Sequence, residues 1–253
     1  MYAAWIGAML VGLVLGLLGS GGSILTVPVL VYLVGEPNKL AIAESLGIVT
    51  LISFVGALPF VYRGQVSWRS VLLFGLPGMV GAYLGAYLSQ FMPGTLQLAI
   101  FAAVMLLAAV MMFRRQAPSE ETAGVRAYWK VMLDGLGVGV LTGIVGVGGG
   151  FLIVPALVLL GGLPMHLAIG TSLFIISVKS ISGFVKYIDV LGGVDSIHWD
   201  LLLIFSAIGI VGSFVGGKVG AYVPQEKLKR GFAIFLVLMG VVILVQNVAS
   251  MVG

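Results

Sequence analysis

Apolar stretches follow one another along this chain with only short polar breaks, and that pattern leaves most of its length a single suitable solvent, lipid. A helix that crosses a bilayer needs roughly 20 apolar residues, and the chain offers about eight candidate runs. They cover approximately 3–34, 40–62, 71–90, 96–113, 131–162, 167–187, 201–222 and 231–245. With 60% hydrophobic and 9% charged residues among 253, and a mean hydropathy of +1.19, the chain holds more apolar surface than a soluble core buries. The expected fold is all-α, a polytopic transmembrane helical bundle.

Two of the runs, 3–34 and 131–162, are too long. At 1.5 Å per residue about 32 residues reach roughly 48 Å, against a hydrocarbon core of roughly 30 Å. Each has a glycine cluster at its middle, Gly19 to Ser23 and Gly146 to Gly150, where a helix breaks most readily. Aligning the two runs exposes a duplication. Gly16, Gly19, Gly21, Gly22, Leu25, Val27 and Pro28 recur 127 positions on as Gly143, Gly146, Gly148, Gly149, Leu152, Val154 and Pro155. The same offset carries Pro37, Leu40, Ala41, Ile42, Ser45, Leu46, Ser53 and Gly56 onto Pro164, Leu167, Ala168, Ile169, Ser172, Leu173, Ser180 and Gly183. After a four-residue insertion, Trp68, Phe74, Gly78, Gly81, Gly85 and Pro93 match Trp199, Phe205, Gly209, Gly212, Gly216 and Pro224. Three segments follow: a first transmembrane repeat over 1–113, a linker over 114–130 and a second transmembrane repeat over 131–253.

Charge orients these segments. Basic residues in short loops stay cytoplasmic, which places the linker with Arg114, Arg115, Arg126 and Lys130 inside. The loop near Arg63 and Arg69 is also basic, whereas its counterpart carries Asp189, Asp195 and Asp200. Ser89 to Gly94 is uncharged, while its counterpart has Lys227, Lys229 and Arg230. Equivalent loops on opposite sides predict an inverted-topology repeat. Inversion needs an odd number of elements per half, and breaking each long first run at its glycines turns four into five. Both termini then fall outside, in a cell inner (plasma) membrane protein. The start of the chain lacks a basic n-region, so the first run is expected to be mature structure.

The same composition narrows the chemistry. The 13 basic and 9 acidic residues leave +4, but the basic residues are scattered through loops, which argues against nucleic acid as a partner. With no cysteine there is no disulfide, thiolate metal site or cysteine nucleophile. His166 and His198 sit in loops with no metal ligand at a useful spacing, and no P-loop is present. No cofactor or metal is expected, and the runs hold too few ionisable groups for a catalytic constellation.

Candidate binding residues lie where the helices break. Gly21, Gly22 and Ser23, with Gly148, Gly149 and Gly150, begin half-helices whose free N–H groups and positive dipole ends favour an anion. The competing reading makes these glycines packing residues. Lys179 sits near the middle of a run, where its charge costs roughly 3 kcal/mol or more in lipid, so it must face protein. Ser172, Lys179 and Lys186 repeat every seven residues on nearly one helical face, with Thr171 beside them. Ser45, Thr50 and Ser53 occupy the positions matching Ser172, Ser177 and Ser180, although serine and threonine often bond their own helix carbonyls. Lys179 alternatively pairs with Glu44, the other charge inside a run and the sole candidate for proton coupling. The tryptophans Trp5, Trp68, Trp129 and Trp199 fall at run edges as an interfacial belt.

The duplicated Gly-x-x-Gly-x-Gly-Gly-(Ser/Gly)-x-Leu-x-Val-Pro motif, at Gly16 to Pro28 and Gly143 to Pro155, resembles that of the sulfite exporter TauE/SafE family, also called the 4-toluene sulfonate uptake permease family. Ala168, Gly170, Thr171 and Ser172 match its Ala-x-Gly-Thr-Ser stretch, and the likeness covers nearly the whole chain. The resemblance implies secondary transport of a small sulfur oxyanion such as sulfite, sulfoacetate or another organosulfonate. Proton or ion coupling and a homodimer stay open. A channel-like pore built on the same broken helices is the alternative, and a membrane-embedded enzyme a more distant one.

Overall fold

The computed structural model describes residues 2–114, 128–145, 150–159 and 162–252. Their helices are α1 Tyr2–Leu18, α2 Gly21–Val29 with a π-turn at Leu30–Val34, α3 Asn38–Tyr62, α4 Trp68–Ser89 with a π-turn at Val71–Gly75, and α5 Gly94–Arg114. The second half repeats them as α6 Tyr128–Val145, α7 Gly150–Leu159, α8 Met165–Val190, α9 Trp199–Gly220 and α10 Gln225–Val252. A 3-10 turn at Val194–Ser196 occupies the connection where the insertion falls. Among the described residues α3, α4, α8 and α9 are long and apolar enough to cross a membrane, with shorter apolar helices around them. The protein is a multi-pass, all-α membrane protein.

The first long run folds back on itself. Gly19 adopts φ +75°, a left-handed conformation open to glycine, and its N–H donates to Leu15 O at 2.8 Å, ending α1. Ser20 turns the chain, its carbonyl accepts from the Ser23 hydroxyl at 2.7 Å, and α2 starts. A Cβ on Gly22 would strike Val11 and Leu15, and one on Gly7 would strike Val29, so the two arms run antiparallel in close contact. Because the first 34 residues form a helical hairpin, each arm is short enough for the bilayer. Residues 146–149, which include the candidate Gly148 and Gly149, lie outside the described residues. Gly150 opens α7. Pro37 and Pro164 start α3 and α8 with nearly the same backbone, φ −56° and −57°.

Between helices, lipid supplies little apolar driving force, and association depends on close backbone approach at small residues. Gly12 and Gly16 of α1 sit directly on the backbone of Gly209 and Ser213 of α9, and Gly212 and Gly216 return the contact to Met9 and Leu13. Residue numbers rise together, so α1 and α9 run parallel. The equivalent residues make the equivalent interface: Gly139 and Gly143 of α6 rest on Gly78 and Ala82 of α4, and Gly81 and Gly85 face Leu136 and Val140. Each half therefore lends its first helix to the fourth helix of the other. At the centre α3 and α8 cross antiparallel, Leu46 beside Gly183 and Phe60 beside Gly170. Trp68, Trp129 and Trp199, at helix ends, are exposed, while Trp5 in the first turn of α1 is half-buried.

Candidate functional site

Between those two contacts the crossing carries the polar residues that the repeat doubles. Thr50 and Ser177 donate to Leu46 O at 2.7 Å and Phe174 O at 2.8 Å within their own helices. Ser53 and Ser180 are fully buried, and their hydroxyls have no hydrogen-bond partner. An unpaired buried hydroxyl forfeits about 1–3 kcal/mol, so two at equivalent positions in the middle of a bundle are available to something that enters it.

Lys179 lies beside Ser180, 1% exposed. Its Nζ donates to Thr142 Oγ1 of α6 at 2.6 Å, and Thr142 in turn donates to Gly139 O at 3.0 Å. The side chain lies in the groove over Gly78 of α4, whose Cβ, if present, would stand 3.4 Å from Lys179 Cδ. The hydrogen-bond partner of Lys179 is thus a neutral hydroxyl. In so apolar a setting an uncompensated ammonium attracts an anion far more strongly than it would in water. The alternative pairing of Lys179 with Glu44 is not formed, because each finds other partners.

Among the described residues, the cradle's serine hydroxyls bond backbone carbonyls. Ser172 does reach the tip of the first hairpin, but its Oγ donates to the carbonyls of Gly19 at 3.0 Å and Ile169 at 2.8 Å. Ser45 donates to Ile42 O at 2.7 Å and Ser23 to Ser20 O at 2.7 Å. These hydroxyl protons lock the tip and helices in this conformation and do not point into a shared anion pocket. Gly21 and Gly22 are buried at the start of α2, next to Ser20, whose buried Oγ has no partner. Lys186 leaves the cradle altogether, lying over Tyr83 and Tyr87 and pairing with Asp189 at 3.4 Å.

Thr171 and Glu44 are equivalent residues, and the fold uses them alike. Thr171 Oγ1 accepts the Ser67 N–H at 2.9 Å, just before Trp68. Glu44 Oε1 accepts the His198 N–H at 2.9 Å, just before Trp199. Each side chain thereby holds the start of the opposite half's fourth helix. The second Glu44 oxygen, Oε2, is buried without a partner, and Glu36 Oε1 stands 2.9 Å from His198 Nδ1. His198, which has no metal ligand at a useful spacing in sequence, is brought beside Glu36 and Glu44, 162 and 154 residues away along the chain.

Thr142, Gly78 and the unpaired state of Ser53 and Ser180 escaped the sequence reading, although a signal for Thr142 existed. Thr142 and Lys179 stand where half one has Leu15 and Ile52, two of the positions at which the halves differ in polarity. Looking for differences between the halves, rather than identities, would have paired them.

A family model described as Sulfite exporter TauE/SafE matches residues 4–243. A protein of Xylella fastidiosa (strain Temecula1) named "Probable membrane transporter protein" is 31% identical over 96% of this chain and 95% of its own length. "Probable membrane transporter protein YdhB" of Bacillus subtilis is 29% identical, with 90% and 92% covered. "Probable membrane transporter protein MJ0441" of Methanocaldococcus jannaschii is 24% identical, with 93% and 94% covered. No solved structure matches the chain. These names describe transporters, not enzymes, and with the family match spanning nearly all of a multi-pass helical bundle, the chain belongs to the sulfite exporter TauE/SafE family of membrane transporters.

Proposed function

We propose that the protein is a secondary-active, alternating-access carrier of a small sulfur-containing anion, sulfite, sulfoacetate or another organosulfonate, bound where α3 crosses α8. The observation that carries this is Lys179: a buried ammonium of α8 held by the neutral hydroxyl of Thr142, on a helix that also carries the unpaired hydroxyl of Ser180 and packs against α3 with that of Ser53. Membership of a family described as Sulfite exporter TauE/SafE supports the substrate class. The exchange of first and fourth helices between halves, with α3 antiparallel to α8, supports an inverted repeat about an axis in the membrane plane. Such a frame has two related conformations, and the hydroxyls of Ser23, Ser45 and Ser172, now spent on carbonyls, become available to a substrate in a conformation that opens the hairpin tip. The basic linker is then cytoplasmic in an inner membrane, and Glu44, in the opposite mouth, is the candidate for proton coupling.

Ligand binding raises apparent stability by mass action. Purified protein in detergent is therefore expected to show a raised Tm with at least one of sulfite, sulfoacetate, thiosulfate or taurine over acetate, and the rise should vanish in Lys179→Met. If no anion shifts the wild type, or the variant responds equally, this site is wrong. Saturable, gradient-coupled uptake into liposomes separates a carrier from a channel-like pore.

A further inference from the structure

At the end of α3 that begins with Asn38, three segments distant in sequence converge. Glu36 comes from the connection after α2, Glu44 from the second turn of α3, and His198 from the residue before α9. Their ligand atoms, one per residue, lie within 4.8 Å of one another. His198 Nδ1 is 2.9 Å from Glu36 Oε1 and 3.6 Å from Glu44 Oε1. A tetrahedral ion with bonds of about 2.0–2.1 Å sets its ligands about 3.4 Å apart, between those two separations.

Two further observations make this more than a surface cluster. Glu44 is fully buried, and its Oε2 has no hydrogen-bond partner. The opening is graded, with the His198 side chain 59% exposed, Glu36 11% and Glu44 0%, so an ion has a way in and a closed floor. Two carboxylates this close repel one another, and a cation between them removes the repulsion and satisfies the free oxygen.

We propose that Glu36, Glu44 and His198 form a binding site for a divalent transition-metal ion of the zinc type. An imidazole nitrogen with two carboxylates suits zinc, cobalt or manganese, whereas calcium and magnesium prefer all-oxygen shells. Bound metal ties the α2–α3 connection and α3 of one half to the start of α9 in the other. The site goes beyond the anion-transport reading: Lys179 takes no part, and Glu44, where it holds the ion, does not also carry a coupling proton.

The test uses the full chain in detergent, stripped with a chelator and titrated with Zn2+ alone. Zinc at roughly a hundredfold above its Kd is expected to raise the Tm by several degrees, with no comparable effect of Mg2+ or Ca2+. His198→Gln keeps the backbone N–H that Glu44 accepts, and it and Glu36→Gln should each lose at least about tenfold in zinc affinity by calorimetry. His166→Ala should retain the shift. The chain has no cysteine, so His198→Cys loaded with Co2+ should acquire a thiolate-to-metal charge-transfer band that no other residue can supply. Absence of any zinc shift in the wild type, full retention of it in both His198→Gln and Glu36→Gln, or a missing cobalt band would each overturn the site and leave a histidine–carboxylate pair with a backbone cap.

Discussion

Lys179 and Ile52 occupy one position of the repeat, as do Thr142 and Leu15, and Gly78 and Gly209. In half one Ile52 lies over Gly209 and both Ile52 and Leu15 are fully buried, while in half two Lys179 lies over Gly78 and reaches Thr142. The backbone frame is shared, so the glycine that admits the side chain is kept on both sides. What goes into the groove is not. One copy receives the apolar Ile52 and Leu15, with the Ser213 hydroxyl one turn away against Gly56, and the other receives an ammonium and a hydroxyl bonded to each other. The duplication thus separates scaffold from chemistry: what both copies keep holds the helices together, and what one copy changes points to function.

The sharpest way to break this contrast is to make the apolar copy polar. Ile52→Lys places an ammonium opposite Leu15 where half two has Thr142, and should destabilise the protein by about 3 kcal/mol or more. Lys179→Met keeps the volume, removes a desolvated charge and leaves Thr142 its bond to Gly139, so its stability should stay within about 1 kcal/mol of wild type. Thermal unfolding in detergent ranks the two, and adding Leu15→Thr to Ile52→Lys should recover part of the loss. Equal losses from Ile52→Lys and Lys179→Met would mean that Lys179 is structural.

A middle-sized effect is expected at the second equivalent pair. Thr171→Val and Glu44→Leu each orphan a helix-start N–H, of Ser67 or of His198, at about 1–3 kcal/mol. Glu44→Gln retains a carbonyl acceptor and should cost less than about 1 kcal/mol, again read by thermal unfolding. A Glu44→Gln loss as large as that of Glu44→Leu would show that the charge, not the cap, holds that end.

The smallest effect belongs to the unpaired hydroxyls. Ser53→Ala and Ser180→Ala remove groups that bond nothing, so each should alter stability by no more than about 1 kcal/mol. Their anion-induced Tm shifts are the informative readout. A loss confined to Ser180→Ala locates the anion on the Lys179 side, a loss in both locates it across the crossing, and unchanged shifts in both remove these hydroxyls from the site.

Much of this protein was legible as a string. Hydropathy runs demanded helices in lipid, a length argument broke the first run at its glycines, and Gly19 does turn there. The sequence also singled out Lys179, because a charge in a long apolar run has few places to go. Local periodicity could not say that the broken run returns as a hairpin, since antiparallel arms differ from a continued helix only in what Gly22 and Gly7 touch. Nor could it say where hydroxyl protons go: Ser23, Ser45 and Ser172 looked available until the carbonyls beside them were placed.

The sequence by itself determined the bundle, the duplication and the scarcity of charge, because these depend on solvent preference and spacing along the chain. Only the tertiary structure decided which charges meet. Lys179 finds Thr142 at a separation of 37 residues, and His198 finds Glu36 at 162. Such contacts arise from helices packed through space, where electrostatic and hydrogen-bond energies fall off over a few ångströms and chain distance has no influence.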